Sequence, residues 1–196
     1  MITIDEITIV RDGREIIYDY SEQIPAGSIT VIVGPNGCGK STLLAAIAGD
    51  LAPVKGTITI DDAHPILTSA SALASMRSMA TQNQSFTLGF TVREIVEMGG
   101  PSTKVLAALG LTEIADRLVT TLSGGESQRV AIAQAIAQQT PVLLLDEPLA
   151  AQDVSSRKKI IALLKELADS GTTVVVVAHS TETELTWADK VIKQFH

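Results

Sequence analysis

The chain has 196 residues, of which 45% are apolar, 19% charged and 3% aromatic. That is one domain's worth of core, at roughly 100–200 residues per domain. The net charge of −7 argues against non-specific nucleic-acid binding, which needs a basic face, and the aromatics are too few for a base-stacking platform.

Met1-Ile2-Thr3-Ile4-Asp5-Glu6 opens acidic, unlike the basic start of a signal peptide. Isoleucine alternates with polar residues from Ile2 to Val10, the period of a half-buried strand. Asp12-Gly13 marks a turn, and Glu15–Tyr18 reads as the returning strand of a hairpin. Pro25-Ala26-Gly27 is a further turn before Ser28–Val33, a β-branched run with the profile of a buried strand. Ser41–Asp50 predicts a helix and Thr57–Ile60 a strand. Ser69–Met79 has weak helical spacing; Val92–Met98 and Thr103–Leu109 predict helices on either side of Gly99-Gly100-Pro101. A helix from Ser123 to about Gln139 leads into the strand Pro141–Leu145. A helix over about Ser155–Ser170 precedes the strand Thr172–Ala178. The apolar run Val174–Ala178 falls far short of the ~20 residues of a membrane span. Uniformly apolar strands alternating with helices predict an α/β fold with a mostly parallel sheet covered on both faces. The early alternating strands predict an antiparallel β edge. The expected organisation is a single domain, with a core at 1–81 and 140–196 and an inserted small α-helical subdomain at about 82–139. The lone cysteine, Cys38, cannot form an internal disulfide. A soluble, cytoplasmic chain with no span of its own is expected.

Gly34-Pro35-Asn36-Gly37-Cys38-Gly39-Lys40-Ser41-Thr42 fits the phosphate-loop pattern G-x-x-x-x-G-K-[ST], straight after a buried strand and opening a helix. Glycines let backbone N–H groups close on phosphates, and the helix terminus adds partial positive charge. Lys40 can reach the β- and γ-phosphates of a nucleotide triphosphate, and the Ser41 hydroxyl can ligate Mg²⁺. Cys38 reads as a small filler in this loop. At the end of the next apolar strand stand Asp146-Glu147-Pro148. Ligands of open α/β sheets bind at such strand ends. Asp146 suits Mg²⁺, and Glu147 suits orienting an attacking water.

Leu122-Ser123-Gly124-Gly125-Glu126-Ser127-Gln128-Arg129 resembles the signature motif of ATP-binding cassette (ABC) ATPases, and it lies between the phosphate loop and the Asp-Glu strand as in that family. The resemblance covers the chain from Ile2 to about Phe195 and implies a P-loop NTPase core. Ser123-x-x-Glu126 is a capping box that opens a helix, leaving Gly124 and Gly125 at a positive terminus. In the family, each ATP lies between one subunit's phosphate loop and the signature of its partner. One copy of each motif therefore implies a homodimer, or a heterodimer with a related chain. Gln82 resembles the glutamine that touches Mg²⁺ and the attacking water, with Gln84 as the alternative. Asp153 matches the loop that couples the two sites, and as a residue opening a helix it is also expected on capping grounds. His179 stands where the family's histidine contacts the γ-phosphate.

The usual aromatic that stacks on adenine is missing; Arg11 or Val10 falls there, with Tyr18 and Tyr20 further on. Arg11 can stack its guanidinium plane on a base or remain a solvated charge. No regulatory domain is expected after His179. The resemblance implies the ATPase subunit of an ABC transporter, using ATP and Mg²⁺ and peripheral at the inner face of the membrane. It would drive a separate transmembrane permease that docks at about 82–100. Phe90–Gly99 looks like the importer ATPases for metal chelates such as siderophores, haem and cobalamin. The alternatives are a soluble ABC ATPase of the translation or DNA-repair type, and a module that holds ATP without turnover. Tandem cassettes, coiled-coil insertions or basic segments would mark the former, and none is readable. Glu147 and His179 argue against the latter.

Overall fold

The computed structural model describes residues 1–82, 86, 89–179 and 185–193. Strands β1 (Ile2–Arg11), β2 (Arg14–Ile24) and β4 (Lys55–Ile60) form an antiparallel sheet in the order β2-β1-β4. Strand β3 (Ile29–Val33) leads through the phosphate loop into helix α1 (Lys40–Ala48). Helix α2 (Ala70–Met76) runs directly into β5 (Arg77–Ala80). Helices α3 (Val92–Glu97), α4 (Thr103–Ala108) and α5 (Gly124–Ala137) follow, then β6 (Val142–Asp146), α6 (Val154–Asp169), β7 (Thr173–Ala178) and β8 (Lys190–Lys193). A second sheet of five strands, all parallel, has the order β5-β6-β7-β3-β8.

The period of two along each strand divides the core. Val31, Leu143, Leu145, Val174 and Val176 face a cluster built with α3, α4, α5 and α6. Ile32, Leu144, Val175 and Val177, their neighbours in sequence, face α1 and the isoleucines of β1. Both faces are covered, so every residue of β3 and β7 is buried. Burying each valine or isoleucine among them contributes about 1.5–3 kcal/mol. The sheet thereby holds the carboxyl ends of β3, β6 and β7 side by side, and the motif residues sit just beyond them.

Two local readings are corrected. The helical spacing over Ser69–Met79 stops at Met76, and Arg77–Ala80 is the edge strand β5. Helix α2 buries none of its residues, so the segment lacks the apolar stripe that locates a helix end. Ser78 and Ala80 are instead buried in alternation against β6. The short β8 was not anticipated. Among the described residues, no helix is long and apolar enough to cross a membrane.

Candidate nucleotide site

The phosphate loop turns on glycines whose backbone other residues resist: Gly37 has φ 79° and Gly39 φ 103°. Gly39 is the N-cap of α1 and supplies no side-chain cap, which leaves the helix terminus open towards the loop. Lys40 is buried, and its Nζ donates to the carbonyls of Gly34 and Pro35 at 2.8 and 2.9 Å. The ammonium is thus held inside the curve of the loop. Cys38 packs beneath it: a Cβ on Gly34 would stand 2.8 Å from Cys38 Sγ.

A cleft of about 810 Å³ opens over this loop. Asn36, Gly37, Gly39, Lys40, Ser41 and Thr42 line its floor, and Gln82, Glu147 and His179 line its far wall. Arg11 and Ile16 from the antiparallel sheet close the remaining side, whereas Tyr18 and Tyr20 do not reach it. Ile16 was not singled out in the sequence; its only signal is its place in β2 next to the loop. A cleft of similar size, about 800 Å³, lies between α4, α5 and α6 near Lys104, Ile136 and Leu167. It touches none of the motif residues.

Glu147 joins the far wall together. Its Oε2 accepts from Gln82 Nε2 at 2.7 Å, and its Oε1 lies 2.7 Å from His179 Nε2. Three elements remote in sequence therefore converge on one carboxylate. Gln84, the alternative to Gln82, lies outside the described residues. Glu147 has φ 51°, in the left-handed region, and its backbone N–H donates to Val177 O at 2.9 Å.

Asp146 ends β6 one residue earlier. Burial pushes its carboxyl pKa up, and a hydrogen bond from Ser41 opposes that shift. Its Oδ1 is buried and has no partner among the described residues. A buried, orphaned carboxylate oxygen beside a hydroxyl fits a hard divalent cation that takes oxygen ligands. Among the described residues no cluster of three or more His, Cys, Asp or Glu could hold a metal. Ser41 and Asp146, brought together by that hydrogen bond, are oxygen donors that could hold Mg²⁺ shared with phosphate oxygens.

The signature residues lie elsewhere. Ser123 caps α5 through a full capping box: Ser123 Oγ accepts from Glu126 N at 3.3 Å, and Glu126 Oε2 accepts from Ser123 N at 2.8 Å. The Ser123 backbone N–H foremost, and then the Ser123 hydroxyl, donate to this carboxyl and hold it below its ordinary range. Asp153 caps α6, accepting from Ser156 N at 2.8 Å. Neither Ser123–Glu126 nor Asp153 lines the cleft over the phosphate loop. Gly124 is exposed, with nothing within 4 Å of where a Cβ would stand.

A phosphate loop at the end of a buried parallel strand, facing an acidic strand end, defines a P-loop nucleotide triphosphatase. The family described as ABC transporter matches residues 17–150. The hemin import ATP-binding protein of Rhodococcus jostii is 36% identical over 96% of this chain and 69% of its own length. The cobalamin import ATP-binding protein of Halobacterium salinarum is 40% identical over 92% of this chain; the chain spans 49% of that protein's length. A dimeric bacterial ABC transporter cassette of known structure superposes with a TM-score of 0.84 at 28% identity, covering 99% of this chain and 94% of the cassette. The chain belongs to the ABC transporter family, as its nucleotide-binding, ATP-hydrolysing subunit.

Proposed function

We propose that this subunit hydrolyses ATP in the cleft between Arg11 and His179, as one of a head-to-tail pair. The pair would power import of a metal chelate of the haem or cobalamin kind through a separate membrane permease. The observation that carries the reading is the convergence of Gln82 and His179 on the Glu147 carboxylate beside the phosphate loop. The cargo class rests on the hemin and cobalamin import relatives, and the pairing on the dimeric cassette.

Asn36–Thr42 and the α1 terminus would bind the triphosphate through backbone N–H groups, with Lys40 moving from loop carbonyls to the β- and γ-phosphates. Ser41, Asp146 and Gln82 would hold Mg²⁺, which neutralises charge on the phosphate oxygens when bound. Glu147 accepts a hydrogen bond from the attacking water and aligns it with the γ-phosphorus. Gln82 and His179 limit the rotation of that carboxylate. With nucleotide bound, His179 would turn its ring N–H from Glu147 to the charge that grows on the transferred group. Little covalent chemistry falls to the protein, and the rate comes from positioning and charge stabilisation. Arg11 and Ile16 would receive the base, one by its guanidinium plane and the other by an aliphatic face. The phosphate of the partner's ATP would meet Ser123–Gly125, with Glu126 holding that terminus in shape and Asp153 at the junction. The helical region at about 82–139 would act as a unit and meet the permease near 82–100.

The test is ATP turnover by the wild-type chain and by Glu147→Gln, each alone and with the reconstituted permease. Turnover should fall by about 10²-fold or more, the contribution of a positioned base. The variant should also accumulate as an ATP-bound dimer in light scattering. Retained turnover would overturn the assignment, and a strictly monomeric variant under ATP would overturn the pairing.

A further inference from the structure

Gln128 on α5 and Gln152 in the loop between β6 and α6 are buried, at 8% and 6% exposure. Neither touches the nucleotide cleft. Their amides form one continuous relay. Gln152 Nε2 donates to Gly125 O and to Gln128 Oε1, each at 3.1 Å. Gln152 Oε1 accepts from Arg129 Nη1 at 2.8 Å, and the Gln152 carbonyl accepts from Arg157 Nε at 3.1 Å. Gln128 Nε2 then donates to the backbone carbonyl of Glu147 at 2.5 Å.

The direction of the relay is dictated by chemistry. A guanidinium only donates, so the Gln152 oxygen must face Arg129 and its NH₂ must face Gly125 and Gln128. The Gln128 oxygen is then the acceptor, and its NH₂ must face Glu147. Steric contact adds to the bonding. A Cβ on Gly125 would stand 2.7 Å from Ala151 O, so the first turn of α5 presses directly on the loop that carries Gln152. At the other end, the Glu147 backbone is in the left-handed region; its nitrogen donates to Val177 O, and its oxygen accepts from Gln128 and, at 3.2 Å, from the Ala150 N–H. A residue in that conformation keeps it only through such outside partners.

We infer that Gln128 and Gln152 are positioning residues that tie the signature helix to the orientation of Glu147 in the same subunit. In the pair, a phosphate gripped at Ser123–Gly125 would belong to one ATP, while Glu147 serves the other. The relay therefore lets occupancy of one site set the water-orienting carboxylate of the second. This rests on the proposed roles of Glu147 and of the signature residues.

The experiment uses the full chain with Gln128→Met, Gln152→Met and the double variant, with Glu147→Gln in parallel. Methionine keeps length and packing and removes the amide. Turnover, KM for ATP and melting temperature are measured, with active sites counted by titration with a fluorescent ATP analogue. Each single variant should lose about tenfold or more in kcat with KM within about twofold, since a displaced catalytic group costs rate and not binding. The double variant should be no slower than the worse single one, because both amides belong to one relay. Unchanged kcat in a folded single variant, a loss seen only in KM, or additive losses in the double variant would each overturn the inference. If Gln128→Met fails to fold, Gln152→Met reads the same link from its other end. Loss of turnover in Glu147→Gln with unchanged kcat in the methionine variants sinks the relay alone. Retained turnover in Glu147→Gln sinks the underlying assignment.

Discussion

Gly124 and Gly125 are neighbours with opposite surroundings, and alanine at each should separate folding from function. Neither has a left-handed backbone, so alanine is compatible with the local conformation and should stabilise by about 0.4–1 kcal/mol through the unfolded chain. At Gly124 nothing lies within 4 Å of the new Cβ, so that gain is the whole effect on stability. At Gly125 the new Cβ would stand 2.7 Å from Ala151 O, where real Cβ contacts essentially never fall below 3.0 Å. The backbone must retreat by a few tenths of an ångström, and such overpacking costs about 1–3 kcal/mol. At about 2–4 °C per kcal/mol for a chain of this size, Gly124→Ala should raise Tm by about 1–4 °C. Gly125→Ala should lower it by a few degrees. Turnover should fall in both, at least about tenfold. At Gly124 the methyl would occupy the face offered to the partner's phosphate, and at Gly125 it would displace Gln152. Thermal unfolding and steady-state ATP hydrolysis on the same preparations measure the two quantities. Wild-type turnover in Gly124→Ala would refute the phosphate role of that terminus. A raised Tm in Gly125→Ala would refute the close approach of α5 to the loop.

Ser123→Ala removes the side-chain half of the capping box and should cost about 1 kcal/mol, read as a lower urea midpoint with an unchanged slope. The Glu126 carboxyl is held below its ordinary 4.5, so its stabilisation is present above that pH and is lost as pH falls through the lower folded value. Glu126→Gln keeps the cap without the titration, so its unfolding free energy should vary less with pH on the acid side than that of the wild type. Asp146 titrates in the opposite sense. Its raised pKa means that stability is fully present below the ordinary 3.8 and declines as pH rises through the folded value. Asp146→Asn should therefore stabilise the nucleotide-free chain at pH 7 by about 1 kcal/mol while abolishing turnover. A lower melting temperature for that variant at pH 7 would count against the buried, orphaned carboxylate.

The parts of the fold that could be read in advance are those whose signal is local. The β1–β2 hairpin announces itself by alternation around Asp12-Gly13, and the phosphate loop by glycines between a β-branched run and a helix. The Ser123–Glu126 box closes within three residues. What escaped depends on distant partners. Strand β8 exists because Thr30–Val33 pairs with Lys190–Lys193, a contact that four residues of sequence do not disclose. Strand β5 is fixed by β6, more than sixty residues on. The same holds within the site. Glu147 could be read from the strand end it follows, whereas Gln82 and His179 were visible only through motif order, since no spacing brings them to it. Gln128 and Gln152 looked like ordinary polar residues of a helix and a loop; nothing local marks an amide as buried.

The left-handed backbone of Glu147 bears on which residues can stand at position 147. Glycine and asparagine adopt that conformation more readily than glutamate, so the backbone alone favours either, against the loss of the contacts with Gln82 and His179. Glutamate at this position is explained by its carboxylate and not by its backbone, so Glu147→Asn should leave a subunit that still grips nucleotide and no longer cycles.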